Sequence, residues 1–286
     1  MFDVKPIDLS EKGLSDLYAL LHKVFPHAHH FSKKYLDWHY LRNPNGLALG
    51  SNIYDGHKLI AHFVTQPISS IFNGLEEKGL LALNIATHPD YRGKGLFKMA
   101  GVHALEEARK QGYQHVIGVA NANSTKVFVK HLNFQLLGAL EVKLGVGGMP
   151  ATHCSHRFRY KLNWGPKALS WRLSRPLQEY FYVSDAPNKK IYTRAPLFAD
   201  WGPHVEMGVT REHINIPGKK IIHNLNPFRM WIGLDASRDW SGSCYVDVPE
   251  KRRPSPLNFI FYDLTEHNRS LRIKDIKFDA MDFDAY

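Results

Sequence analysis

Two glycines and two cations meet in the stretch Arg92-Gly93-Lys94-Gly95, which follows an apolar run and leads into a helical pattern. Glycines let a backbone come close to a ligand, and the free N–H groups at the start of a helix attract negative charge. The arginine and the lysine add fixed positive charge. Four backbone N–H groups are expected to point outward, those of Gly93, Gly95, Leu96 and Phe97. The stretch therefore predicts a site for an anion such as a pyrophosphate.

Three better-known phosphate loops do not fit this stretch. A Walker A loop requires GxxxxGK followed by Ser or Thr, and the sequence has no such spacing. A dinucleotide-binding GxGxxG loop would need glycine where Lys98 stands, and a kinase glycine loop fails at the same residue. What remains is a short glycine loop between a strand and a helix.

The hydrophobic periodicity predicts the elements that position this loop. Apolar residues at helical spacing predict helices over 14–25, 32–41, 95–111 and 123–132, and apolar runs bounded by turn signals predict strands at 51–54, 59–67, 80–87, 115–119 and 136–145. A helix that connects strand 80–87 to strand 115–119 makes these two strands parallel neighbours. The predicted class is α/β, of the α+β kind, with a mixed but mostly antiparallel sheet flanked by helices.

The stretch HPDYRGKGLFKMAGVHALEEARKQG, with the strand before it and HVIGVANANSTKVFVKHLNF after it, resembles the GNAT superfamily of acyl-coenzyme A N-acyltransferases. The resemblance covers about residues 1–145 and is strongest over 80–137. It implies a GNAT-like fold, acetyl-CoA or another acyl-CoA as cofactor, and acyl transfer to a primary amine of a small molecule. Phe97 departs from the pattern where the superfamily usually has Gly or Ala. Val129 stands where many members have the tyrosine that protonates the leaving thiolate.

The resemblance also implies which residues contact the cofactor. The backbone of the loop should bind the pyrophosphate, through Arg92, Gly93, Lys94, Gly95, Leu96 and Phe97. The main chain from Ile85 to Thr87 should meet the pantetheine arm and the acyl carbonyl. Further wall or hydrogen-bond partners for pantetheine would be Asn121, Asn123 and Phe128.

The residues that handle protons and the acceptor are less defined. His62, His88, Asp90 and Glu141 are candidate bases, and Asn84 is a candidate for ordering a water. The acceptor region of this fold corresponds to Trp38, His39 and Tyr40, which Trp171, Arg172 and Arg175 could join from the second half. Aromatic rings beside arginines suit an amino sugar, a sugar nucleotide or another anionic amine.

The glycine-rich stretch 145–150 predicts a boundary between a GNAT-like acyl-CoA-binding domain at 1–147 and a second domain at 150–286. LSWRLSRP (169–176) echoes LDWHYLRNP (36–44), and the strand-like stretches 256–264 and 276–286 resemble the fifth and last strands of a similar unit. One interpretation is a tandem pair, in which the second half is a degenerate GNAT-like unit that covers the acceptor cleft. The other is a chance coincidence of short patterns.

Composition and charge limit the remaining classes of function and partner. The net charge of +10 is spread over both halves, and no nucleic-acid-binding motif accompanies it, so no specific nucleic acid is expected. A basic run from Arg157 to Arg175 is either a solvated face or a surface for an anionic ligand. The sequence has no run of about 18 apolar residues and no metal-ligand spacing, and the stretch MFDVKPIDLSEKG, which has acids and no long apolar core, is not expected to act as a secretory signal. Its two cysteines, Cys154 and Cys244, allow a single disulfide, but two reduced thiols in a cytoplasmic protein are the favoured interpretation.

Two other functions remain open. One is a catalytically inactive CoA-binding or interaction module. The other is an aminoacyl-tRNA-dependent transferase of the peptidoglycan type, which shares a tandem architecture but normally lacks an intact RGKG loop.

Overall fold

The computed structural model describes residues 1–152, 156–185, 188–195, 203–210, 227–253 and 255–284. The chain forms two compact units. Unit 1 comprises Met1–Ser70, Glu76–Leu136 and Asn258–Ser270, and unit 2 comprises Ile71–Leu75, Leu137–Leu257 and Leu271–Tyr286. Cys154 and the last two residues of the stretch 276–286 lie outside the described residues.

Unit 1 holds four α-helices and most of the elements predicted for the first half. The helices are α1 (Glu11–Val24), α2 (Lys33–Leu36), α3 (Leu96–Lys110) and α4 (Ala122–Leu132). A π-helical segment, Asp37–Leu41, extends α2. The strands are β1 (Asp3–Pro6), β2 (Leu49–Asp55), β3 (Lys58–Phe72), β4 (Leu75–Thr87), β5 (His115–Ala120) and, from far along the chain, β14 (Asn258–Asp263).

The sheet of unit 1 runs in the order β1-β2-β3-β4-β5-β14. The pairs β1/β2, β2/β3 and β5/β14 are antiparallel, whereas β4 and β5 are parallel. The parallel pair follows from the crossover helix α3 between the two strands, as the sequence predicts. Its carboxyl-terminal ends therefore meet at one edge of the sheet.

Helix α3 packs closely on this sheet because one face is made of small residues. Ala100, Gly101, Ala104 and Ala108 are all buried. A β-carbon at Gly101 would lie 2.6 Å from Leu132 of α4, closer than real contacts allow, and 3.2 Å from Phe63 of β3, closer than most real contacts. The glycine thus lets α3 approach both elements.

Unit 2 contains one α-helix, α5 (Pro166–Arg172), among its described residues. Its strands are β6 (Gln135–Ala139), which starts at the end of unit 1, β7 (Glu141–Val146), β8 (Tyr160–Leu162), β9 (Tyr180–Asp185), β10 (Asn188–Arg194), β11 (His204–Thr210), β12 (Phe228–Asp235), β13 (Tyr245–Asp247) and β15 (Ile276–Asp279). A short 3₁₀ turn, Ala280–Asp282, follows β15.

The strand path of unit 2 repeats that of unit 1. Strands β9, β10 and β11 form an antiparallel run, β11 and β12 are parallel, and β7 pairs antiparallel with the other edge of β12. Unit 1 has the same succession in β2-β3-β4, β5 and β14. This likeness supports the tandem interpretation, which stays a proposal.

One sequence prediction about this arrangement is wrong. The stretch 256–264 was expected to be the fifth strand of the second half, but β14 pairs with β5 in unit 1. The fifth position of unit 2 belongs to β12 instead. Alternating apolar residues identify a strand but not its partner, so a single cut near residue 147 does not reproduce the two units.

The strand β15 occupies the space where β11 and β12 separate. The parallel ladder ends at the pair Glu206 and Trp231, after which Gly233 pairs with Asp279 of β15. Gly233 also pairs with Glu141 of β7, so β15 must lie on the opposite edge of β12, the edge that faces β11. A third strand therefore fills the opening of unit 2.

This segment carries two carboxyl groups, of which Asp282 is buried and Asp279 half-buried. Trp164 donates its indole N–H to Asp282 at 2.6 Å, and the backbone N–H of Asp279 donates to the same carboxyl at 2.7 Å. Burial raises the pKa of Asp282 to about 7, with repulsion from Asp279 adding to it. Burial also raises the pKa of Asp279 to about 6, partly offset by Lys277 and Arg238.

We expect the stability of the full chain to fall from about pH 4 to about pH 7 because of this pair. A raised acid pKa means that the folded state holds a proton that the unfolded state has already released, so stability falls between the unfolded-state and the folded-state pKa values. The expected loss is about 4 kcal/mol for Asp282 alone, at about 1.4 kcal/mol per pKa unit, and Asp282→Asn should flatten the slope. Urea unfolding at several pH values measures both, and an unchanged slope in the variant would contradict the assignment.

Candidate functional site

Strands β4 and β5 separate at the edge where the glycine loop begins. Their parallel ladder runs from Gly79 paired with His115 to Ala82 paired with Gly118, and both strands then continue. In the described part of unit 1, β4 pairs with β3 and β5 while β5 pairs with β4 and β14, so no third strand enters between them. We call the opening formed by residues 83–87 of β4 and 119–120 of β5 the wedge.

The strand β4 bends inside the wedge at Asn84. This residue has φ 47°, a left-handed conformation that Asn tolerates better than most residues. The Asn84 amide group donates to the hydroxyl of Tyr35 at 3.3 Å. Ile85 and Thr87 follow the bend and are half-buried, so the predicted carbonyl-binding stretch lies on the wall of the wedge.

The glycine loop presents a row of backbone N–H groups beside the wedge. Gly93 has φ 79° and Gly95 has φ 74°, and a β-carbon at either would meet nothing within 4 Å. The glycines are therefore required by backbone conformation and not by space. The first helical hydrogen bond of α3 is donated by Met99, and in the described structure the N–H groups of Gly93 and of Gly95, Leu96, Phe97 and Lys98 have no acceptor.

The loop has positive charge as well as free donors. Arg92, Gly93, Lys94 and Gly95 are all exposed, while Leu96 is buried and anchors the helix start. The Lys94 ammonium lies 4.8 Å from the ring centroid of Tyr91, a cation–π contact that holds it over the loop. Free N–H groups, a helix start and two cations together form an anion-binding surface.

The Phe97 side chain does not cover the anion-binding surface, although it is larger than the Gly or Ala that the resemblance leads one to expect. Its ring packs edge-on against Phe63 at 5.6 Å and Phe128 at 5.1 Å between centroids. Phe97 thus extends the core cluster beneath the loop. Phe128 is itself buried in this cluster and also packs on Phe134 at 4.8 Å, so it supports the wedge from within the core.

Asn121 and Asn123 lie at the start of α4, where β5 ends. The Asn121 side chain accepts hydrogen bonds from the backbone N–H groups of Asn123 and Ser124, at 3.0 and 2.9 Å, and so caps the helix. Both asparagines are exposed. Because β4 and β5 are parallel, this cap and the glycine loop lie at the same edge of the sheet.

The three predicted acceptor residues lie on the π-helical segment and are buried. Trp38 is 5% exposed, His39 2% and Tyr40 0%. They belong to an aromatic cluster with Tyr35, on which His39 stacks at 5.1 Å between centroids. Their role as acceptor contacts stays a prediction. They form an interior wall, and a π-helical segment is a frequent feature of functional sites.

Tyr40 connects this wall to a buried polar chain. Its hydroxyl lies 3.1 Å from Nε2 of His62, and Nδ1 of His62 lies 2.7 Å from the Asn52 amide oxygen. Since the amide oxygen can only accept, Nδ1 carries the proton and Nε2 accepts from Tyr40. Burial lowers the pKa of His62 to about 3, so the ring stays neutral and both nitrogens are in use. His62 is therefore a poor candidate for the base.

The other candidate bases are placed as follows. His88 is buried, and its Nδ1 accepts from the backbone N–H of Asp90 at 3.3 Å, which caps the short 3₁₀ turn Pro89–Tyr91. Asp90 is exposed, 3.7 Å from the same nitrogen. Glu141 belongs to unit 2, on β7, and its half-exposed carboxylate lies 3.7 Å from Lys143. It is thus not among the residues that form the wedge.

Two residues proposed as acceptor contacts from the second half serve unit 2 internally. Arg172 is 3% exposed and donates to the backbone carbonyls of Met281 and Phe283 and to the Tyr180 hydroxyl. Arg175 is buried against Asp284, 3.3 Å away. These arginines were interpreted as part of a basic surface, but a sequence pattern cannot distinguish an exposed arginine from one that links buried carbonyls.

Sequence reasoning missed Tyr35, which reaches the bend of β4 from α2. The sequence held only a weak indication of its role: Tyr35 is the third helical residue after the N-cap Ser32 and lies beside a run of aromatic residues.

No helix among the described residues has the length and apolar character needed to cross a membrane.

Comparison with known proteins gives the family of this domain. Residues 14–134 match the model of the acetyltransferase (GNAT) family. No curated protein matches the sequence significantly. Among solved structures, a GCN5-related N-acetyltransferase from Anabaena variabilis ATCC 29413 is similar with a TM-score of 0.62 at 13% identity, covering 92% of this chain and 73% of that one.

Two further structures are similar over the same extent. A GCN5-related N-acetyltransferase from Kribbella flavida has a TM-score of 0.59 at 11% identity, over 91% of this chain and 71% of that one. Eis1 from Mycobacterium abscessus has a TM-score of 0.57 at 8% identity, over 92% and 74%. The predicted mixed fold is thereby confirmed. The family model thus identifies residues 14–134 of this chain as a GNAT acetyltransferase domain.

Proposed function

We propose that unit 1 binds an acyl-CoA, with acetyl-CoA as the first candidate, and transfers the acyl group to a primary amine of a small molecule. The observation that carries this proposal is the glycine loop. Its five unpaired N–H groups, those of Gly93 and of the four residues from Gly95 to Lys98, open a 15-residue helix directly beside the wedge. Such a surface suits the pyrophosphate of coenzyme A, and the wedge offers main-chain groups to the arm that follows it.

When bound, the thioester would supply an activated acyl carbon that an amine can attack. The chain's part in that reaction is to orient and to complement charge. The main chain after the bend at Asn84 would face the carbonyl oxygen and stabilise its growing negative charge. Val129 has no proton to donate, so the thiolate would leave without a general acid. A thiolate is a good leaving group near neutral pH, and the reaction does not depend on such an acid.

The acceptor side of the site is the interior wall on the π-helical segment. The aromatic rings of Trp38, His39 and Tyr40, with the neutral His62 bonded to Tyr40, provide packing without a fixed charge of their own. The nearest arginine in the sequence, Arg42, pairs with Asp37 at 2.6 Å. Amino sugars are therefore the first acceptors to test, with amino-sugar nucleotides as a second arm. Anionic acceptors would need cations beside this wall, and Arg172 and Arg175 are occupied within unit 2.

The proposal assigns cofactor binding to unit 1 alone. In unit 2, β15 pairs with β12 on the edge that faces β11, at the place that corresponds to the wedge. The Met281 methyl group also lies against β11, 3.1 Å from where a β-carbon of Gly208 would be. A segment of the chain itself thus fills the opening that a pantetheine arm would need.

Calorimetry and thermal shift test this proposal. We expect acetyl-CoA to bind with a stoichiometry of one per chain and to raise Tm by several degrees at saturation, because a ligand that binds only the folded state stabilises it. Free CoA should do the same, since the pyrophosphate supplies most of the contacts. The absence of any shift with acetyl-CoA, longer acyl-CoAs and free CoA would refute the proposal, and a stoichiometry of two would refute the assignment to unit 1 alone.

A screen of amines then tests the transfer step. Thiol released from acetyl-CoA is measured with amino sugars, amino-sugar nucleotides and simple amines, each against a reaction without amine. Amine-dependent thiol release supports the transferase. CoA binding without turnover on any amine would instead favour an inactive CoA-binding module, and a requirement for aminoacyl-tRNA would favour the peptidoglycan-type transferase.

A further inference from the structure

Asn84 sets the direction of the main chain inside the wedge. The parallel ladder ends at Ala82, and two residues later Asn84 adopts φ 47° within β4. Most residues with a β-carbon avoid this conformation, and Asn and Gly are the usual exceptions. The bend turns the peptide group between Asn84 and Ile85 away from regular strand geometry. A change of φ at Asn84 would therefore redirect that peptide group.

Tyr35 is the residue that holds the Asn84 side chain. Its hydroxyl accepts a hydrogen bond from the Asn84 amide group at 3.3 Å. The phenol is itself fixed, because Tyr35 is 1% exposed and its backbone N–H donates to the N-cap hydroxyl of Ser32 at 3.1 Å. Its ring is enclosed by His39, stacked at 5.1 Å, and by His30 at 5.3 Å between centroids.

We propose that Tyr35 is a positioning residue for acyl transfer. It holds Asn84 in the left-handed bend, and the bend aims the main chain from Asn84 to Ile85 at the acyl carbonyl. Through this contact the aromatic wall on the acceptor side is coupled to the wall of the wedge. The inference rests on the proposed function, since it takes the wedge as the place of the acyl group.

Substitutions at the two positions separate backbone conformation from side-chain contact. Asn84→Ala removes the amide group and disfavours positive φ, whereas Asn84→Gly removes the same amide group but keeps positive φ accessible. Tyr35→Phe keeps the ring packing and removes only the hydroxyl. The double variant Tyr35→Phe/Asn84→Gly shows whether Tyr35 acts through Asn84.

The measurement is the affinity of the full chain for acetyl-CoA and for free CoA by calorimetry. For Asn84→Ala we expect the Kd of acetyl-CoA to rise about fivefold, the effect of one misdirected hydrogen bond, while the Kd of free CoA changes less than twofold. Tyr35→Phe should show a smaller loss in the same direction. Asn84→Gly should retain the wild-type ratio of the two Kd values, and adding Tyr35→Phe to it should change nothing further.

Other results overturn the inference. If Asn84→Ala keeps the wild-type ratio, or Asn84→Gly loses as much as Asn84→Ala, the left-handed bend does not aim the carbonyl contact. If Tyr35→Phe has its full effect in the Asn84→Gly background, Tyr35 does not act through Asn84. A wild-type chain that binds neither acetyl-CoA nor free CoA would refute the proposed function itself, so the two failures are distinguishable.

Discussion

Replacing both loop glycines, Gly93→Val and Gly95→Val together, is expected to abolish the stabilisation of the chain by acetyl-CoA. Both residues have φ near +75°, where a β-branched residue is strongly disfavoured. The backbone must change conformation to relieve that strain, and the N–H groups that converge on the anion then point elsewhere. We expect Kd for acetyl-CoA to rise at least 100-fold, since several charge-assisted hydrogen bonds are lost at once. Calorimetry and thermal shift measure the change.

Gly112 is a matched control for this experiment. It follows α3 at its other end with φ 77°, and a β-carbon there also meets nothing within 4 Å. Gly112→Val therefore introduces the same kind of strain in the same helix, with a similar loss of stability of about 1–2 kcal/mol. It should bind acetyl-CoA like the wild type. An unchanged Kd in the double variant would refute the pyrophosphate site, and equal losses in both variants would show that strain in α3 is the cause.

The sequence was sufficient for the local structure around the site. Helical periodicity over 95–111 and apolar runs at 80–87 and 115–119 predicted α3 (Leu96–Lys110), β4 and β5, and the crossover rule then made the two strands parallel. The free N–H groups of the loop followed from two glycines at a helix start. These features depend on residues close together in the chain, and such features are the ones that local patterns encode.

Burial of aromatic and basic residues was not predictable in the same way. The sequence predicts Trp38, His39 and Tyr40 as acceptor contacts that Arg172 and Arg175 could join, but it does not show that all five side chains are buried. An aromatic ring packs equally well in a core or on a ligand. An arginine can be buried in a core once its N–H groups donate to carbonyls or to a carboxylate. Arg172 meets two carbonyls, those of Met281 and Phe283, more than 100 residues along the chain. No window of sequence contains both partners.

The bend at Asn84 also could not be predicted from the sequence. An asparagine within an apolar strand run is compatible with a left-handed residue, a bulge or a hydrogen bond to solvent, and the choice depends on what the side chain meets. In the structure it meets the Tyr35 hydroxyl. The residue that explains the conformation of Asn84, Tyr35, thus lies 49 positions earlier in the chain and on a different element.

Removing everything after residue 147 is expected to unfold unit 1, although its family match ends at residue 134. The reason is β14, which pairs with β5 over six residues from Asn258 to Asp263. Phe259, Ile260 and Phe261 are fully or almost fully buried. Burial of such side chains stabilises by about 2 kcal/mol each, and a typical domain has only about 5–15 kcal/mol of net stability. A chain 1–147 would expose the whole edge of β5.

The polar contacts of the same segment make the loss larger. Arg269 lies 2.6 Å from the carboxylate of Glu77 and 2.9 Å from that of Asp263, and both carboxylates are more than nine-tenths buried. Burial alone would raise the pKa of Glu77, but hydrogen bonds from His115 and Arg269 outweigh it and hold the pKa below its usual value. Without Arg269, Glu77 would be a buried carboxylate that lacks its strongest partner, and such a group destabilises by several kcal/mol.

Complementation separates a missing strand from a generally unstable fragment. Chain 1–147 alone should show no cooperative thermal transition by circular dichroism, whereas 1–147 joined through a Gly/Ser linker to residues 255–270 should melt cooperatively and regain the acetyl-CoA shift. The same fusion with Ile260→Asp is the matched control and should stay unfolded, since it places a charge at a fully buried position. If 1–147 folds without the added segment, β14 is dispensable, and the family domain is independent of the rest of the chain. If the fusion fails like its Ile260→Asp control, the stability of unit 1 depends on more of the chain than this strand.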